Sequence, residues 1–266
     1  MRENERTVVV GDPAALGAVA TRRSFLRALG MGGSIVLLPS VFAACDDATS
    51  SLVSPDVQSR VASAQPVVLN LNTDVGILNY AFALEQLEAA FYEAVVTAAP
   101  FQGMSAEQRE ILNDLREHEV IHREFLRAAI PANGGTLIPN LSVNFTTALS
   151  SANNILATAM TFEDLGVAAY NGAGKFFSDS AAGRTFLTIA GKIVSVEARH
   201  AAAIRDTMDT TGRAFATFGN EAARLGADDA RALDGALAPS AVLNQVAASG
   251  TVRTGITIGT NPPTVA

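Results

Sequence analysis

Tryptophan is absent from this 266-residue chain, cysteine occurs once and histidine three times. A single cysteine allows no intramolecular disulfide and no thiolate cage for zinc. Basic residues are outnumbered, 19 Lys and Arg against 26 Asp and Glu, a formal charge of −7. Setting aside residues 1–44, with five Arg and three acids, leaves 14 against 23, or −9. An acidic chain without a basic cluster offers nothing to a phosphate backbone, which excludes nucleic acid as a partner. Long apolar runs are missing too. The most apolar stretch, "ALGMGGSIVLLPSVFAAC" (residues 28–45), is interrupted by Gly, Ser and Pro and falls short of the ~20 apolar residues that span a bilayer. The whole chain is 48% hydrophobic, enough for one well-buried domain of ordinary size with flanking segments.

Residues 1–45 read as an address rather than as part of the fold. Arg22 and Arg23 precede Ser-Phe-Leu and then the apolar stretch; the pattern resembles the twin-arginine signal, which implies export of a folded protein to a periplasmic or other extracytoplasmic location. Cys45 follows Phe42-Ala43-Ala44 and resembles the lipobox cysteine of bacterial lipoproteins, with Phe42 where Leu is usual. Lipidation, which would attach the chain to a membrane, and plain cleavage nearby both stay open. Residues 46–67, rich in Ser, Ala, Asp and Val without a helical stripe, read as a flexible linker.

Over residues 74–99, Ile77, Tyr80, Phe82, Leu84, Leu87, Phe91 and Val95 fall for the most part at three- and four-residue steps, which predicts a long amphipathic helix. Ser105 and Gln108 have capping-box spacing and open a second helix that Pro131 is expected to end. "PANGGTLIPNLSVNFTTALS" then reads as a loop of nearly 20 residues, followed by helices over 151–177 and 181–211. Such a loop outreaches a helix of roughly 25 residues and 38 Å, so two hairpins can be joined by one long crossover. The expected fold is all-α, a four-helix bundle over 68–213. Residues 214–266 would cover it with a short apolar helix and an irregular tail.

Histidine is scarce, yet two of the three have a glutamate three residues earlier: Glu119 with His122 and Glu197 with His200. Residues i and i+3 share a helix face. One such pair is ordinary surface chemistry; two, each preceded by a glutamate 34 residues upstream (Glu85 and Glu163), are a pattern. A shift of 78 residues lays Glu85, Leu87, Ala90, Tyr92, Glu119 and His122 on Glu163, Leu165, Ala168, Tyr170, Glu197 and His200. Each half is a hairpin carrying Glu and then Glu-x-x-His, and two facing halves would bring four carboxylates and two imidazoles together inside the bundle. Four anions in a low-dielectric interior repel one another unless cations or protons join them.

This set resembles that of the ferritin-like superfamily, the di-iron and di-manganese carboxylate bundles. Over residues 74–213 the motifs "ALEQLEAAFY", "EHEVIHREFL", "FEDLGVAAYNGA" and "VEARHAAAIR" are similar to those of its desiccation-related family. The resemblance implies two metal ions, iron or manganese, with Glu85 and His122 on one, Glu163 and His200 on the other, and Glu119 and Glu197 bridging. It implies redox chemistry on O₂ or peroxide, of ferroxidase or catalase type. A non-catalytic structural or metal-binding protein associated with stress or desiccation would use the same six residues.

Four further residues are placed less firmly by the pattern. His118 has Val196 as its counterpart under the shift and is expected at the surface or behind a ligand. Glu88, three residues after Glu85, is a candidate third carboxylate near the first metal, but its counterpart is Gly166, an asymmetry expected to leave an open flank for a small oxidant. Tyr92 and Tyr170, two turns beyond Glu85 and Glu163, are expected to pack in the core, with a hydrogen-bonding or radical role as the other reading.

Overall fold

The apolar spacing of the sequence becomes four long helices in a computed structural model that describes residues 66–208, 225–227 and 233–263. The elements in chain order are β1 (Val67–Asn70), α1 (Asp74–Val95), the one-turn α2 (Ala99–Gln102), α3 (Ala106–Ala132), α4 (Ala152–Ala173), a 3₁₀ turn (Gly174–Phe176), α5 (Ala181–Met208), α6 (Pro239–Ala248) and β2 (Ile256–Thr260). Thr73, Ser105 and Ser151 cap α1, α3 and α4, each hydroxyl accepting a backbone N–H of the first turn. At Ser105 the bond is reciprocated by Gln108 in a full capping box.

The helices form two hairpins, α1 along α3 and α4 along α5, which meet through α1 against α4 and α3 against α5. The expected all-α bundle with its crossover is therefore present. Its boundaries differ in detail. The first helix stops at Val95 and restarts at Ala99, because Pro100 suits the first turn of a new helix better than the interior of an old one. Pro131 does not end α3; it lies inside the last turn, and the stop comes at Gly134, whose φ of 75° only glycine adopts without strain.

The crossover is held by side chains of α1. Asn79 donates to the Thr136 carbonyl and accepts from the Ile138 N–H, and Gln86, two turns on, accepts from the Leu141 N–H. These bonds satisfy loop backbone that would otherwise be buried unpaired.

The tail is not irregular throughout, which corrects the expectation. Residues Ile256–Thr260 form a strand parallel to Val67–Asn70, with Val67 opposite Ile256 and Leu69 opposite Ile258. The alternation Ile-Thr-Ile is the local signal, but a two-stranded sheet has meaning only once the partner is known. Val67 thus belongs to a strand and not to the linker. Upstream, α6 buries Val242, Leu243 and Val246 in the same apolar cluster as α4. The segment before it runs so close that the Leu237 N–H bonds the Ala168 carbonyl at 2.9 Å. Residues 1–65, with Arg22, Arg23 and Cys45, lie outside the described residues, as do 209–224. No described helix is long and apolar enough to cross a membrane.

Candidate metal centre

Each bundle helix delivers its glutamate from a buried position. Glu85 on α1, Glu119 on α3, Glu163 on α4 and Glu197 on α5 are all fully buried, and His200 is 4% exposed. His122 is the more open imidazole, its side chain 12% exposed. Toward one end of the bundle the layer is closed by Leu78, Phe82, Leu126, Ile130, Phe186 and Ile193, so these charges sit in an apolar interior.

The fold brings together the six residues that the sequence singles out, in two groups that share Glu119 and Glu197. His122 Nδ1 lies 2.9 Å from Glu197 Oε1, 3.3 Å from Glu119 Oε2 and 3.5 Å from Glu85 Oε2. His200 Nδ1 lies 2.8 Å from Glu119 Oε1 and 3.2 Å from both Glu163 Oε2 and Glu197 Oε2. Glu119 and Glu197 therefore turn one oxygen to each histidine. Two groups result, Glu85–Glu119–His122–Glu197 and Glu119–Glu163–Glu197–His200, each with ligand atoms within 4.8 Å of one another.

A ring nitrogen carries at most one hydrogen and can satisfy one acceptor well. Three carboxylate oxygens nevertheless converge on each Nδ1, and Glu85 Oε2, Glu119 Oε1 and Glu197 Oε1 are buried without a hydrogen-bond partner. Such orphaned anionic oxygens are costly unless a cation joins them. The donor set and its geometry are compatible with binding metal ions.

The titration of these carboxyls and imidazoles tells the same story. Burial pushes the Glu85 carboxyl well up, and Glu163 up to about 8 against the pull of His200. Burial also acts on Glu119, but the imidazoles of His122 and His200 beside it outweigh burial and hold that carboxyl at about 2. Both histidines, although buried, are raised by the surrounding glutamates. The cluster thus recruits protons where it has no other positive charge.

The tyrosines hydrogen-bond across the bundle. Tyr92 Oη donates to Glu163 Oε1 at 2.5 Å, and Tyr170 Oη donates to Glu85 Oε1. Helical side chains lean toward the N-terminus, so a tyrosine two turns past one glutamate reaches back to the glutamate of the facing helix. Each outer glutamate has one oxygen fixed by tyrosine and the other turned to the cluster. The same 78-residue shift that pairs Tyr92 with Tyr170 carried this signal.

A match to the family model of the ferritin-like domain spans residues 73–210. The chain belongs to the ferritin-like domain family. No curated protein matches it. In this ferritin-like domain Glu88 is buried beside the cluster but outside both groups. A Cβ on Gly166 would lie 3.0 Å from Glu88 Oε1. The glycine therefore makes room for the glutamate, and the asymmetry opens no flank at that point. Sequence reasoning missed Asp164, next to Glu163, which is buried and accepts from Arg205 of α5; nothing in the repeat marks it, since its counterpart is Gln86.

Proposed function

We propose that this ferritin-like domain binds two divalent ions, iron or manganese, side by side in the bundle, and that the protein uses them in redox chemistry on O₂ or peroxide. The observation that carries the reading is the pair of carboxylates, Glu119 and Glu197, that each present one oxygen to both histidine-centred groups. Bound there, such ions supply electrons to a small oxidant at neutral pH. Glu85 with His122 and Glu163 with His200 complete the two positions. Tyr170 and Tyr92 fix the outer glutamates so that their second oxygens stay turned inward. Oxygen-rich ligation with one imidazole per ion favours iron or manganese over a thiolate zinc site. The twin-arginine pattern at Arg22 and Arg23 supports export to an extracytoplasmic location, with Cys45 as the candidate lipid anchor.

Elemental analysis of protein purified after native export is expected to find two iron or manganese ions per chain. With free metal a hundredfold above its dissociation constant, the folded state gains about 2.7 kcal/mol, which chelation removes. Glu119→Ala takes an oxygen from both positions and should abolish this gain, and oxygen or peroxide consumption by the loaded protein separates a catalyst from a structural metal protein. Protein that purifies metal-free, with a melting temperature indifferent to both metals and to chelator, would refute the reading.

A further inference from the structure

His118 Nδ1 is 2.8 Å from His200 Nε2. The two rings are 20° from parallel with centroids 5.1 Å apart. So long a centroid separation beside so short a nitrogen contact means that the rings meet edge to edge, nearly in one plane, as in an N–H···N hydrogen bond and not in a face-to-face stack. His200 therefore engages both nitrogens: Nδ1 faces Glu119, Glu163 and Glu197, and Nε2 faces His118.

We propose that His118 is a positioning residue for His200 and that it makes the two metal positions unequal, the position of Glu119, Glu163, Glu197 and His200 being the tighter one, filled first. The inference rests on the two-ion reading above. An imidazole that gives one lone pair to a cation carries its hydrogen on the other nitrogen, and the acceptor of that hydrogen fixes both tautomer and ring orientation. His118 Nδ1 is that acceptor.

Among the described residues the opposite half of the bundle has nothing equivalent. Under the 78-residue shift the counterpart of His118 is Val196, which cannot accept a hydrogen bond. Among the described residues His122 bonds through Nδ1, and nothing is bonded to its Nε2. His122 is also the more exposed ring, 12% against 5% for the His200 side chain. A locked ligand loses less freedom on binding than an unlocked one, and removing such an outer partner costs about 10–100-fold in metal affinity. His118 itself lies at the solvent edge of α3, so its replacement leaves the core intact.

The test titrates Co²⁺ and Mn²⁺ into chelator-stripped protein, followed by calorimetry, by Co²⁺ visible absorption and by Mn²⁺ electron paramagnetic resonance. Wild type should bind in two resolved steps. His118→Ala should weaken the tighter step about 10–100-fold and leave the other unchanged, with an altered Co²⁺ spectrum for the first ion. His118→Asn, whose Oδ1 takes the place of Nδ1 as acceptor, should restore the tight step. Glu85→Gln, which touches only the His122 position, should weaken the other step instead. A His118→Ala isotherm identical to wild type overturns the inference, and so does equal weakening of both steps. Wild-type protein that takes up neither ion overturns the metal centre itself, a result distinct from either.

Discussion

At Glu163 the cost of burying a carboxyl is largest where no ion is bound, and this gives the protein a pH signature. Its carboxyl is pushed up to about 8 by burial, whereas in an unfolded chain a glutamate titrates near ~4.3. Stability from a raised group is complete below the unfolded value and is lost as pH rises through the folded one. Glu85, raised by burial, and His122 and His200, raised by their glutamates, act with the same sign. Glu119, held at about 2, acts in the opposite sense, and its contribution is lost only as pH falls toward that value. The chelated protein should therefore melt at progressively lower temperature from about pH 6 to about pH 9. The increment given by Mn²⁺ should grow over the same window, because protons and metal compete for the same atoms. Thermal unfolding with chelator and with Mn²⁺ across that range checks both slopes; a flat profile for the chelated protein contradicts the assignment.

Among the elements, α4 is constrained on two sides, since it carries Glu163 and Tyr170 on its buried face and lies under the C-terminal segment. A Cβ on Gly172 would stand 1.8 Å from the Leu237 carbonyl oxygen, so the glycine lets two backbones approach each other. Gly172→Ala trades a better helix former for a backbone clash, and the clash wins: overpacking of this kind costs about 1–3 kcal/mol, against the roughly 1 kcal/mol that alanine gains over glycine in a helix. Gly191, on α5, has nothing within 4 Å of its Cβ position, and Gly191→Ala should be neutral or stabilising. Urea unfolding of both variants reads the contrast. Equal stabilities would mean that the C-terminal segment moves away from α4 at little cost.

For the whole molecule, the proposed export and the metal centre belong together, since a route that carries folded protein allows the site to be loaded before the membrane is crossed. Replacing Arg22 and Arg23 by Lys keeps the charge and removes the planar guanidinium pair. Precursor should then accumulate in the cytoplasm, as read by fractionation and immunoblotting. Unimpaired export of the double variant would reject the twin-arginine reading. Within the bundle, the strand pair Val67–Asn70 and Ile256–Thr260 joins segments about 190 residues apart, tying the start of the domain to its tail.

The sequence by itself determined the helices, the crossover and the six candidate ligands, because helical periodicity, caps and the 78-residue repeat are local or self-referential signals. Glu-x-x-His shares a face whatever surrounds it, and a repeat of hairpins implies that the two faces oppose each other. Only the tertiary structure decided which oxygen turns to which histidine, that each tyrosine serves the glutamate of the other half, and that Gly166 makes room for Glu88. It also decided the fates of His118 and of the tail. The partner of His118 is 82 residues away on another helix, and β2 becomes a strand only beside β1. Contacts of that kind depend on how the helices pack together, and no local pattern in the chain encodes them.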